Sequence, residues 1–146
     1  MIFAYEKPSE DVPNAVSWEG VEEATGLDVD IKTVMIPEAE GSTLKSIFIN
    51  MDSSVLMNFK SKYRNPNEEQ IELANRKYYT SVYFHTLFLY TITKNKGYEI
   101  KQKVEGNENL EDVDVGQYLK DLFDNYYSTF ILNFGGMEEM MLNLGD

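Results

Sequence analysis

The chain holds one histidine, His85, and imidazole is the side chain whose proton leaves nearest neutral pH, so a general base would be sought there first. Its neighbours Phe84, Leu87 and Phe88 place it inside an apolar helical pattern. That setting predicts a core histidine with a satisfied hydrogen bond, not a base. Two acid-x-lysine pairs, Asp30 with Lys32 and Glu99 with Lys101, fall in segments with strand-like alternation. In restriction-type nucleases such a pair holds magnesium beside a lysine. A net charge of −12 would set such an enzyme against repulsion from its substrate. A metal-dependent nuclease is therefore kept only as the enzyme alternative, and no catalytic residue is assigned.

Oxygen ligands gather at Asn107, Asn109, Glu111, Asp112 and Asp114, but the loop glycine and terminal acid of an EF-hand do not fall in register. They predict a solvated acidic linker. There is no cysteine, so thiolate metal sites, a cysteine nucleophile and disulfides are excluded. The nine glycines spell neither GxGxxG nor GxxxxGK[ST], and GxSxG is missing too. The expectation is a protein without metal or cofactor.

Binding surfaces are a different matter. Residues 1–57 carry three bases and eleven acids, 58–103 nine and four, and 104–146 one and ten. A basic middle between two acidic ends pairs internally in an ordinary fold. If instead Glu19, Glu22 and Glu23 lie beside Asp112, Asp114, Asp121 and Asp124, they form one negative face for a basic partner. Such a face would also imitate a phosphate backbone, which makes a nucleic-acid decoy, acting on a DNA- or RNA-binding protein, the second reading. Direct nucleic-acid binding is disfavoured by the same charge. The segment FKSKYR (59–64) interleaves aromatics with only three bases, so it reads as a solvated helix face. Met137, Met140, Met141 and Leu144 recur at i, i+3, i+4 and i+7, a short amphipathic helix near 137–144 that would dock on its own core or on a partner, a second copy included.

These side chains need elements to hold them. Ile2–Tyr5 reads as a strand, and Ser17 as the cap of a short helix that ends at Gly26. Alternation predicts strands over Val29–Ile36, ended by Pro37, and over Leu44–Met51, joined as an antiparallel hairpin. Asp52 or Ser53 opens a helix through Val55, Leu56, Phe59 and Tyr63. Asn65, Pro66 and Glu68 open a long one to about Asn95, with Ile71, Ala74, Tyr78, Val82, His85, Leu89 and Ile92 on one face. Residues 78–93 carry no charge, yet they fall short of a bilayer span and are diluted by hydroxyls. They predict a central helix covered on most sides. Tyr98, Ile100 and Val104 suggest a further strand, the acidic linker occupies 105–114, and a last helix runs from Asp114 to Gly135 and Gly136.

The sequence thus predicts one α+β domain over 1–146, a small, mostly antiparallel sheet of three or four strands packed on two long helices and shorter ones. The expected function is a non-enzymatic, acidic protein-protein interaction or assembly module with a basic partner. An acidic start without a cationic leader points to the cytoplasm. Eleven of the thirteen bases are lysine, which hints at an AT-rich genome such as a phage's.

Overall fold

The computed structural model describes residues 1–41, 43–94, 101–103, 110–112 and 114–142, of which 101–103, 110–112 and 130–142 are described as backbone only. The chain folds as α+β. The first strand, β1 (Ile2–Tyr5), is followed by the two-residue β2 (Val16–Ser17) and the helix α1 (Trp18–Thr25). Ser17 caps α1 by accepting the Gly20 N–H at 3.1 Å, and Gly26 ends it in the left-handed conformation (φ 71°). Both signals were legible as single residues.

The hairpin forms, but from β3 (Met35–Glu40) and β4 (Thr43–Asn50), so the first of its strands starts later than alternation predicts and runs through Pro37. Two local effects explain the shift. The Asp30 carboxylate accepts the backbone N–H groups of Lys32 and Thr33 and the Thr33 hydroxyl, which bends 30–33 into a turn. Pro37 is tolerated because β3 is an edge strand in the order β2-β1-β4-β3, where a missing donor need not interrupt a ladder. β1 pairs parallel with both β2 and β4, while β3 and β4 are antiparallel, so the sheet is mixed.

Alternation along this sheet splits the interior in two. Ile36 and Phe48 point to one face and pack with Ala4, Val21 and Val29 beneath α1. Met35, Ile47 and Ile49 point to the other, against the helices α2 (Ser54–Lys60), α3 (Glu68–Lys94) and α4 (Val115–Leu142). Asn50, buried at the end of β4, ties the layers: its Oδ1 accepts from the Trp18 indole at 3.0 Å, and its Nδ2 donates to the carbonyls of Asp30 and Thr33. A buried amide this fully bonded carries little desolvation penalty.

Ser53 caps α2, which stops at Lys60 instead of reaching Tyr63. The cap of α3 is Asn67, not Asn65: Asn67 Oδ1 accepts the Gln70 N–H at 2.8 Å and Gln70 Oε1 accepts the Asn67 N–H at 3.0 Å, a reciprocal box. Asn65 instead takes a positive φ of 50° in the preceding turn. The buried line of α3 is Ala74, Tyr78, Val82, Thr86 and Tyr90. Strict steps of four make it wind around the axis, so Ile71 and Ile92, expected inward, remain exposed.

The further strand appears as β5 (Lys101–Lys103), in a separate two-stranded sheet with β6 (Leu110–Asp112). Part of the acidic linker is therefore a strand. α4 continues past Gly135 and Gly136 to Leu142, where a break and a separate short helix were expected. Two helical glycines cost only about 2 kcal/mol together, less than the backbone hydrogen bonds an unbroken helix keeps.

Candidate functional site

The predicted acidic residues do not share one setting. Glu19 and Glu23 are exposed on α1 and are in no ion pair among the described residues. Glu22 is spent locally, accepting the Val29 N–H at 2.8 Å to close the turn after α1. Asp114 caps α4 through the Gln117 N–H at 2.8 Å, and Asp121 accepts from the Gln117 amide at 2.7 Å. Asp124 is drawn inward. Its Oδ1 accepts the Val34 N–H at 2.8 Å and its Oδ2 meets the Lys120 ammonium at 2.7 Å, with both side chains about six-sevenths covered (14% and 13% exposed). Burial pushes its carboxyl above the usual range, and the Lys120 and Val34 hydrogen bonds pull the other way. Because α1 and α4 lie on opposite faces of the sheet, the six described carboxylates are not gathered on one layer. Asp112 sits in β6 opposite Lys101, and its side chain lies outside the described residues, as do those of Met137, Met140, Met141 and Leu144.

The chemistry candidates are placed as plainly. Asp30 and Lys32 lie in a turn, not on a strand, and the Asp30 carboxylate, held below the usual range by the backbone hydrogen bonds of Lys32 and Thr33 against a desolvation that raises it, serves that turn. Glu99 and the Lys101 side chain lie outside the described residues. Among the described residues no three His, Asp or Glu side chains converge on a metal-sized site. Of FKSKYR, Phe59 is core, with Tyr63 edge-on to it, while Lys62 and Arg64 are exposed. His85 is half-buried with Nδ1 3.1 Å from the Tyr127 hydroxyl, and burial lowers its pKa, so the ring is neutral at pH 7.

What sequence reasoning missed lies next to that histidine. α3 and α4 run antiparallel: at one end Lys94 of α3 reaches the Gly41 carbonyl, and Gly116 of α4 abuts Pro37 of the same hairpin. Between the helices a cleft of about 380 Å³ opens, lined by His85, Phe88 and Leu89 from α3 and by Leu122, Phe123, Tyr126 and Tyr127 from α4. Phe123 and Tyr127 stack within it, ring centroids 4.9 Å apart and 12° from parallel. At its rim Phe88 is 64% and Tyr126 59% exposed, and Phe84, one turn before Phe88, is 62% exposed. The signal was present in the sequence as Phe84, Phe88 and Ile92 at steps of four within the uncharged run. A second helical stripe beside the core stripe is what an open face looks like.

The lining carries no charged group, and its two titratable side chains on facing helices, neutral His85 and the Tyr127 phenol whose pKa burial raises, lie within hydrogen-bond distance of each other. It suits the capture of apolar side chains. Among the described residues no helix is long and apolar enough to cross a membrane. Comparison of the chain with protein-family models, with curated proteins and with solved structures finds no match.

Proposed function

We propose that the protein is a non-enzymatic interaction module that takes a basic protein partner, with apolar side chains of that partner entering the cleft between α3 and α4. The observation that carries this reading is the cleft with its exposed aromatic rim. Contiguous exposed apolar surface is costly in water and marks contact sites, and buried aromatic anchors supply most of the energy of such contacts. The partner's sign comes from the net charge of −12 and from Glu19 and Glu23, exposed and in no ion pair among the described residues. Those charges steer the encounter, while the cleft sets how long the complex lasts. The same charge opposes a second copy in the cleft.

The test is affinity capture with wild type, Phe88→Asp and Tyr126→Asp, after circular dichroism has established that each variant is folded. A partner kept by wild type, lost from both variants and released by rising salt supports the reading. Capture indifferent to both substitutions removes the cleft from it. Displacement of the partner by free DNA or RNA would move the reading to a nucleic-acid decoy.

A further inference from the structure

The cleft exists only if α4 is rotated so that Leu122 and Tyr126 face α3, and a polar contact on the far side of α4 from that wall bears on the rotation. Successive helical residues are 100° apart, so with Phe123 pointing straight into the core, Leu122 and Tyr126 fall to one side of it and Lys120 and Asp124 to the other. On that other side Asp124 Oδ1 accepts the N–H of Val34, at the start of the hairpin, at 2.8 Å. Val34 is itself immobilised: it is fully buried, and its carbonyl accepts the Asn50 N–H at 3.0 Å and the Tyr78 hydroxyl at 3.3 Å. Burial of Phe123 and Tyr127 resists lifting the helix but selects weakly among nearby rotations, because the hydrophobic effect is non-directional, whereas a hydrogen bond is directional.

We propose that Asp124 is the positioning residue of the cleft, and that by accepting the Val34 N–H it fixes the rotation of α4 that holds the α4 wall open to a partner. This rests on the cleft being the binding site. Lys120 has a supporting part, supplying the opposite charge that lets a carboxylate stand in a largely covered position. Asp30, whose carboxylate interacts with Lys120 from the turn before β3, is the third charged group of that cluster.

Two readouts test it, and they fail separately. His85 is the only histidine, so its ring protons give unique NMR resonances, and its contact is with Tyr127 on α4. Rotation of α4 must break that contact. With Asp124→Ala the His85 titration should rise toward the ordinary histidine value and its cross-peaks to the Tyr127 ring should vanish. Asp124→Asn, which retains an acceptor for the Val34 N–H, should leave both unchanged. Should the alanine variant fail to fold, Asp124→Glu displaces the acceptor by one methylene, keeps the charge, and should shift His85 in the same direction. An unmoved His85 in the folded alanine variant, or in the glutamate variant when that one is needed, overturns the proposal, as does an asparagine variant that behaves like alanine. The second readout is binding of the neutral apolar dye Nile red, with Leu89→Trp as the variant that fills the cleft. Asp124→Ala should weaken binding about tenfold, the size expected for loss of one aromatic wall, and Asp124→Asn should not. Dye that binds wild type and Leu89→Trp equally overturns the cleft reading, while His85 still decides the role of Asp124.

Discussion

The two faces of the sheet use their residues in opposite ways. On the α1 side a small apolar cluster of Ala4, Val21, Val29, Ile36 and Phe48 is covered by a helix whose Glu19 and Glu23 stay in solvent. On the α3 and α4 side a far larger cluster is covered by helices that leave aromatics in solvent and draw a carboxylate, Asp124, inside. The first arrangement is what a solvated surface needs. The second inverts it, and inversions of that kind mark places where something besides folding has shaped the surface. The comparison teaches that exposed carboxylates stand on both layers while the apolar cleft belongs to one, so a partner that touches Glu19 and Glu23 as well as the cleft must reach around an edge of the sheet.

The strongest way to break the comparison is at the centre of the larger layer. Tyr78 is fully buried, and its hydroxyl bonds Ser53 Oγ at 2.7 Å and the Asn50 carbonyl at 2.9 Å as well as Val34. Tyr78→Ala should destabilise by about 3–5 kcal/mol, the range for deleting a large core aromatic. Val21→Ala, its counterpart under α1, should cost about 2 kcal/mol, since it removes a smaller side chain from a smaller cluster. Urea unfolding of both variants measures the contrast. Equal losses would show that the two clusters fold as one evenly loaded core.

A middle-sized effect separates turn from site. If Asp30 serves the turn, Asp30→Ala should lower stability by about 1–2 kcal/mol through loss of its local hydrogen bonds. Magnesium should not change the melting temperature of wild type. A magnesium-dependent rise that vanishes in Asp30→Ala would restore the nuclease alternative.

How much of this was legible depends on whether a residue acts alone or in combination. Ser17, Gly26 and Ser53 each perform a single-residue task, capping or stopping a helix, and the sequence announces them. Asn65 misled because Asn-Pro resembles a helix start, whereas the actual box needs Asn67 and Gln70 to bond reciprocally. The start of β3 was displaced by Asp30, a turn former whose side-chain bonds override the alternation around it. Asp124, expected on a negative face, stands one helical turn from Lys120, a spacing usual for exposed pairs. Only the 90-residue reach to Val34 makes it interior, and no local pattern encodes that reach. The cleft is the sharpest case: both aromatic stripes are visible in the sequence, but which one stays uncovered depends on how α4 is turned.

A smaller effect concerns the α1 layer. Glu19→Lys with Glu23→Lys should leave stability within about 0.5 kcal/mol, as exposed substitutions do. Association with a basic partner should slow, and its rate should lose salt dependence, while dissociation stays close to wild type. Stopped-flow or surface-based kinetics at two ionic strengths would separate the rates. A change confined to dissociation would mean that these carboxylates touch the partner instead of steering it.

The smallest effect tests the inverted layer by pH. Burial holds the folded-state pKa of His85 below its ordinary value, so folding disfavours the protonated ring, and stability is lost as pH falls through about 6.5, where the unfolded chain takes up its proton. Asp124 has the opposite sign. Its folded-state pKa is raised by burial, so its contribution rises as pH falls through that pKa. The Asp30 pKa is lowered, so the stability it adds is lost on further acidification. The histidine effect should appear as a slight decline in melting temperature as pH falls through about 6.5. His85→Gln, which keeps a hydrogen-bonding group near Tyr127, should flatten that decline without changing the slope of the curve below about pH 4.5, where carboxylates titrate. A decline of the same slope in His85→Gln would mean that the imidazole is as well solvated in the folded protein as in the unfolded chain, so that the apolar wall of the cleft does not desolvate it.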